Sequence, residues 1–231
     1  MNFCRTSLLI VLAAGLSASA RAGVIFSDLG TGSNVYSLGF GAPWGIGLGV
    51  DGSSATGAMG LSSMIADLFT AGGTGSLAVT QIDLAVLNSN SSLNTFTASI
   101  WTNNSGTPGA QLPNAFWQAP TLYNSGTCCG LVSIQNITGV TLTGGAQYFL
   151  VLAPVSLSDS SINTWAYNSL GVNATYDVST NGGASWISEY GAPATAFEIF
   201  TTPEPAAGCL IGLGLAILVA TSKYRRVWNA E

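Results

Sequence analysis

The chain has 231 residues, 48% of them apolar and only 6% charged, with a formal net charge of −5 and no histidine; an ordinary soluble domain carries roughly a quarter of its residues as charges. All five basic residues lie at the ends, Arg5 and Arg21 near the start and Lys223, Arg225 and Arg226 near the finish. A nucleic-acid binder needs a basic face to displace counterions, so the cation-free stretch from Gly23 to Thr202 excludes DNA and RNA. The missing imidazole excludes His-dependent triads, histidine general bases and imidazole metal sites.

Residues 1–22 read as a secretory signal peptide. Arg5 gives a positive start, Leu8 to Leu16 an apolar stretch, and Ala20-Arg21-Ala22 a small-x-small site, so that cleavage between Ala22 and Gly23 leaves Gly23 as the new first residue. Ala18-Ser19-Ala20 offers an alternative cut two residues earlier. A membrane span is the competing reading, but the apolar stretch falls well short of the roughly 20 residues a bilayer requires.

Residues 23–202 form the predicted exported domain, long enough to enclose its own core. Leu77 to Leu87 alternates around Val79, Ile82, Leu84 and Val86, and Thr95 to Trp101 sets Phe96, Ala98 and Ile100 against Thr and Ser, the period of half-buried strands. Ser62 to Thr70 has weak helical character, but its surroundings favour a strand. Further strands are predicted at Leu131–Gln135, Val140–Thr143, Gln147–Leu152, Asn163–Tyr167, Ala174–Val178, Ser185–Glu189 and Ala196–Thr201. Turn clusters separate them, as at Asn103 to Gly109, Thr143-Gly144-Gly145 and Asn181-Gly182-Gly183. Many short strands without alternating helices predict an all-β fold, an antiparallel β-sandwich of jelly-roll-like form.

From about Val35 onward the chain resembles the bacterial choice-of-anchor domains, in particular type R. The likeness lies in Thr80-Gln81-Ile82-Asp83-Leu84-Ala85, Ser99-Ile100-Trp101-Thr102, Ser105-Gly106-Thr107-Pro108-Gly109, Cys128-Cys129, Tyr148-Phe149-Leu150-Val151 and Thr164-Trp165. Such domains carry alternative C-terminal sorting tails and have no defined activity, so the resemblance implies no catalytic residue.

Cys128 and Cys129 are the only cysteines outside the two predicted transport segments. An oxidising exterior can join them in a vicinal disulfide; the alternative is two thiols on opposite faces of a strand or turn. Adjacent Cα atoms lie about 3.8 Å apart, short of the roughly 4.4–6.8 Å of a relaxed bridge, so the disulfide would be strained and comparatively reducible. Ser179-Thr180-Asn181-Gly182-Gly183-Ala184-Ser185-Trp186 follows the S-x-D-x-G-x-x-W spacing of the Asp-box hairpin with Asn181 in the Asp position. An Asn side chain can accept from nearby backbone N–H groups, glycines allow positive φ, and the Trp packs over the turn. This is a fold signal.

Trp44, Trp101, Trp117, Trp165 and Trp186, with seven tyrosines, offer flat surfaces on which neutral sugars can stack, but large aromatics more often fill a sandwich core. The domain's acids are Asp28, Asp51, Asp67, Asp83, Asp159, Asp177, Glu189 and Glu198. Two of them could form a glycosidase pair, yet nothing in the sequence pairs them. Asp51 and Asp159 sit in polar loops that lack the regular spacing of a calcium loop. No metal site, cofactor or catalytic residue is assigned.

Residues 203–231 read as a sorting tail. Pro203-Glu204-Pro205 precedes an uncharged stretch, 206–222, about 25 Å long as a helix against roughly 30 Å of hydrocarbon, a marginal single transmembrane helix. Lys223, Arg225 and Arg226 then begin a basic cytoplasmic end, 223–231, which places the preceding domain outside. Pro-Glu-Pro, a Gly/Leu-rich span and a basic cluster together resemble the PEP-CTERM sorting signal of Gram-negative bacteria. Thr202 stands where that family often has Val, and Val227 to Glu231 runs past its usual end. An ordinary proline-necked anchor and a GPI signal are the competing readings; the basic cluster argues against the second.

The resemblance implies an exosortase as partner, beside signal peptidase, the secretion machinery and the membrane. It also implies an inner-membrane-anchored precursor that reaches the cell surface or extracellular matrix. The expected role is structural or adhesive and non-enzymatic, linked to exopolysaccharide or biofilm. The alternatives are a carbohydrate-binding module and a carboxylate-dependent hydrolase.

Overall fold

Val, Ile, Thr and aromatic residues recur at short spacing between Gly, Asn and Pro, a pattern that suits extended backbone. The computed structural model describes residues 23–31, 35–37, 48–50, 64–88, 95–120, 122–123, 131–155 and 163–202, which contain strands and turns and no helix. The predicted signal segment to Ala22, Cys128, Cys129, the loops with Asp51 and Asp159, and the whole tail with Pro203, Glu204, Pro205, Lys223, Arg225 and Arg226 lie outside the described residues.

In chain order the first nine strands are β1 (Gly23–Ser27), β2 (Tyr36–Ser37), β3 (Leu48–Val50), β4 (Met64–Thr70), β5 (Ser76–Leu84), β6 (Val86–Asn88), β7 (Thr95–Asn104), β8 (Thr107–Pro120) and β9 (Leu122–Tyr123). The rest are β10 (Val132–Ile134), β11 (Thr141–Thr143), β12 (Gln147–Pro154), β13 (Asn163–Trp165), β14 (Tyr167–Asn168), β15 (Asn173–Ser179), β16 (Ile187–Pro193) and β17 (Phe197–Thr201). One large sheet has the order β1-β17-β5-β10, with β11 also on β5; the other runs β16-β15-β4-β12-β7-β8. Smaller sheets, β3-β13-β6-β9 and β14-β2, complete the pairing. Pairing in the large sheets is antiparallel, and β6 with β9 is a short parallel exception.

Side chains from both large sheets meet in one buried cluster. Ile82, Leu84, Phe197 and Ile199 come from the first sheet, and Ile65, Phe69, Ile100 and Leu150 from the second. Phe69 of β4 meets Phe197 of β17 edge-on with ring centroids 5.8 Å apart, and Trp165 packs on the same ring at 5.6 Å. The arrangement is all-β and sandwich-like.

Three departures from simple alternation have local causes. Val79 and Ile82 are both buried although their odd spacing would put them on opposite faces. The β17 register skips Thr80, since Phe200 pairs with Gln81 and Thr201 with Val79, and this bulge returns Val79 to the core side. On β7, Thr97 and Ser99 are buried along with Phe96, Ala98 and Ile100, so the strand is covered on both faces rather than half-buried. Its polar face is satisfied, as Thr97 Oγ1 donates to Ala153 O at 3.1 Å and Trp101 Nε1 donates to Ser99 Oγ at 2.8 Å.

The third departure is β8, whose prolines and glycine read in sequence as turn. The turn is in fact only Ser105-Gly106, both at positive φ, with Asn104 and Thr107 already paired. Strand β8 lies at the end of its sheet, where Pro108 and Pro113 are tolerated because one side of the strand needs no ladder donor.

The hairpin between β15 and β16 is built as its spacing suggests. Ser179 Oγ accepts from the amides of Asn181 (3.3 Å) and Gly183 (2.8 Å), while Asn181 Oδ1 accepts from the Ser185 amide at 3.0 Å. Gly182 and Gly183 have φ of 71° and 87°. Trp186 meets Trp101 edge-on at 6.0 Å over the outer face of β4, β7 and β12. Asn181→Ala is expected to lower stability by about 1 kcal/mol by orphaning the Ser185 amide, whereas Asn181→Asp, which keeps the acceptor, changes it by less than about 0.5 kcal/mol. Urea unfolding of both variants measures the difference.

Candidate functional site

Four consecutive residues, Ala194 to Phe197, send their amides to four different parts of the fold. Ala194 N donates to Val172 O (2.8 Å), Thr195 N to Asp67 Oδ2 (2.8 Å), Ala196 N to Ala166 O (2.8 Å) and Phe197 N to Asp28 Oδ1 (2.8 Å). Ala194, Thr195, Ala196 and Phe197 are all buried, and the small side chains of the first three let neighbouring segments approach. Two of the four acceptors are carboxyl groups.

Asp67 occupies the inner face of β4, flanked in register by Tyr176 of β15 and Leu150 of β12. It is 1% exposed, and its Oδ2 also takes the Thr195 hydroxyl at 2.6 Å. Asp28, one residue past β1, is also almost fully buried, and its Oδ2 has no hydrogen-bond partner. A cavity of about 210 Å³ brings the two acids together, lined by Phe26, Ser27, Leu68, Leu170, Val172, Ala174 and Ala194. Leu170 and Val172, 54% and 47% exposed, stand at its rim.

Asn168 fixes that rim. Its Oδ1 accepts from the Leu170 and Val172 amides at 2.9 and 3.1 Å, and its Nδ2 donates to Val172 O and Ala194 O at 2.7 and 2.8 Å. Four bonds satisfy one 3%-exposed amide side chain, and Gly171 at φ 69° supplies the tight turn between them.

Burial pushes the Asp28 carboxyl up to about 8; the Phe197 amide opposes the rise, and the charges of Asp67 and Glu198 add to it. Burial raises Asp67 to about 6 against its bonds from the Thr195 hydroxyl and amide. Removing a carboxylate from water disfavours its charged form, and no Lys or Arg between Gly23 and Thr202 can compensate. A second acidic pair faces the other way on the first sheet. Asp83 and Glu198 are directly opposite across β5 and β17, and Gln81 Nε2 donates to Asp83 Oδ1 at 2.8 Å. Burial raises Glu198, a Ser27 side-chain bond opposes this, and the Asp83 charge adds to the rise.

Sequence reasoning named Asp28 and Asp67 among the domain's acids without pairing them, and gave no signal for Asn168 or Thr195. Only the fold joins positions so far apart in the chain. Asp177 is buried on the outer face of β15 and does not line the cavity, and Glu189 belongs to β16. Among the described residues no group of three or more His, Cys, Asp or Glu is placed to hold a metal ion.

The four described tryptophans of the domain serve packing. Trp165 is fully buried and donates from Nε1 to Ala196 O at 3.2 Å, Trp117 packs on the main core, and Trp101 and Trp186 pack on each other. Trp44 lies outside the described residues. Chemically, the cavity has a mostly apolar wall; Asp28 Oδ2 is buried out of contact with solvent and without a hydrogen-bond partner, while Asp67 Oδ2 is held by two donors. Comparison with protein-family models, curated proteins and solved structures gives no match for the chain.

The raised acids fix the sign of the pH dependence. The folded domain holds protons that the unfolded chain has released above about pH 4, so stability is highest at acid pH. It falls as pH rises from about 4 through 6 for Asp67, and on to about 8 for Asp28. Asp28→Asn, a neutral mimic of the protonated acid, is expected to match the native chain near pH 4. At pH 8 it should exceed the native chain by at least about 1 kcal/mol. Asp67→Ala is expected to cost about 2 kcal/mol or more at acid pH, because two buried Thr195 donors lose their acceptor. Denaturant titrations from pH 4 to 9 test both.

Proposed function

We propose that the chain is an exported surface protein whose domain serves a structural or adhesive role and whose tail directs its sorting by an exosortase. On this reading residues 1–22 are removed after Ala22. The domain, residues 23–202, is a jelly-roll-like β-sandwich. Residues 203–231 first hold it in the inner membrane of a Gram-negative cell, and are then cut near Pro203-Glu204-Pro205 to release it to the surface or matrix.

One arrangement in the fold supports this most directly. Strands β1 and β17 are neighbours in the first sheet, and the Asp28 amide just beyond β1 donates to Phe197 O at the start of β17 (3.2 Å). The two strands therefore run antiparallel, and Val24 and Thr201 lie at the same end of the sheet. A domain whose first and last strands begin and end together suits a tethered precursor. The concentration of all five cations in the two flanking segments fits the same account.

The test is expression of the full chain in a Gram-negative host that carries an exosortase and exports other proteins of this kind. Intact mass is expected to give an N-terminus at Gly23 and loss of residues 206–231. Replacing Pro203, Glu204 and Pro205 together by Ala should keep the tail and leave the protein in the inner-membrane fraction. A native tail retained where other such proteins are processed overturns the sorting role.

A further inference from the structure

We infer that Asn181 is a self-modification site: its side-chain amide is lost by reaction with the backbone of Gly182, leaving an acid at the tip of the β15–β16 hairpin, and the closed hairpin controls the rate. This chemistry is independent of the sorting proposed above. Asn181 is the only Asn in the chain that is followed by Gly, and both residues are exposed. Glycine places no side chain beside the attacking nitrogen, so the neighbouring carboxamide can approach it closely. Asn104 is exposed as well, but Ser105 puts a side chain at that place, and Asn168, followed by Ser169, is 3% exposed and held by four bonds.

Water is the only other reactant. The Gly182 nitrogen gives up its proton and bonds to Asn181 Cγ, the Cγ–Nδ2 bond breaks, and the side-chain nitrogen leaves as ammonia, carrying that proton. A cyclic imide remains. Water then adds to one of its two carbonyl carbons and opens the ring. Asp results when the Gly182 nitrogen leaves Cγ, and isoaspartate when it leaves the main-chain carbon. Removing a proton from an amide nitrogen is promoted by base, so the conversion speeds up as pH rises.

While closed, the hairpin opposes this reaction. Asn181 Oδ1 accepts from the Ser179 hydroxyl at 2.9 Å and from the Ser185 amide at 3.0 Å, and Nδ2 donates to Ser185 Oγ at 2.8 Å. The carboxamide must leave these partners before its carbon can turn onto the Gly182 nitrogen. Such opening is local, because the hairpin ends in β16, the outermost strand of its sheet, and the bonds around Asn181 are exposed or only partly buried. The two products then behave differently. Asp keeps the oxygen that Ser179 and the Ser185 amide hold, and the Ser185 hydroxyl can turn to donate to the second oxygen, so the hairpin recloses. Isoaspartate lengthens the main chain between Ser179 and Gly183, and the Gly183 amide, now 2.8 Å from Ser179 Oγ, no longer meets it in the same register.

The test stores the full-length protein in detergent at pH 6 and pH 8 and follows each Asn by tandem mass spectrometry of pepsin peptides, since the stretch from Gly23 to Thr202 has no Lys or Arg for trypsin. Asn181 is expected to convert faster at pH 8 than at pH 6, at least about threefold ahead of Asn104 and Asn168, and at least about threefold more slowly than in the same chain unfolded in urea. Ser185→Ala removes the Nδ2 acceptor at an exposed position and keeps the Ser185 amide, so it is expected to raise the folded rate about threefold, with thermal unfolding showing the fold retained. The comparison with urea decides the role of the hairpin if that variant does not fold. An unchanged Asn181 in the folded protein at pH 8, conversion of Asn104 as fast as that of Asn181, a folded rate equal to the unfolded one, or a folded Ser185→Ala variant no faster than the native chain overturns the inference.

Discussion

The fold turns on a carboxyl group in the middle of its core. Asp67 sits on the inner face of an interior strand, where burial of a charged group is costly, and it is stabilised there by the hydroxyl and amide of Thr195, 128 residues away. That contact draws residues 194–197 against the second sheet. Once they are there, their remaining donors and acceptors fix Val172, Asn168, Ala166, Ala85, Trp165 and Asp28 in turn. Removing a single alanine side chain from this segment would leave a small void, whereas removing the Asp67 acceptor leaves two buried donors unmet. The polar contact therefore constrains the chain path more tightly than the apolar surface around it.

The strands were largely legible because β-branched and aromatic residues at short spacing, cut by Gly and Asn, leave little else for the backbone to do. The hairpin around Asn181 was legible for a different reason: its bonds are all local, so spacing alone encodes them. Strand β8 was hidden by Pro108, Gly109 and Pro113, residues that a central strand rejects and an edge strand accepts; position in the sheet is not a local property. The pairing of Asp28 with Asp67, and the bracing of the rim by Asn168, were hidden for the same reason. Each joins elements brought together only by tertiary packing. The proposed transport segments are argued from order and charge alone and lie outside the described residues.

A domain without cations handles its acids in an unusual way. Ordinary proteins pair carboxylates with Lys or Arg, whereas here Asp28 is kept neutral by burial and Asp67 is held by hydroxyl and amide donors. The result is a core whose polarity depends on protons rather than counterions. Salt should accordingly change its stability little, and acidity should change it much.

The proline-bearing edge of the larger sheet has a further consequence. With 6% charged residues, the protein can place few lysines or glutamates along exposed strand edges, the common defence against one copy adding its strand to another. Pro108, Pro113 and Pro120 interrupt the row of amide donors along β8, and the excursion at Pro113-Asn114, where Asn114 adopts φ 60°, bends the strand out of a straight template. Residues that made this strand hard to recognise thus leave a second copy no continuous edge to join. Protection against fibre-like stacking is built into the backbone, where neither ionic strength nor pH can switch it off.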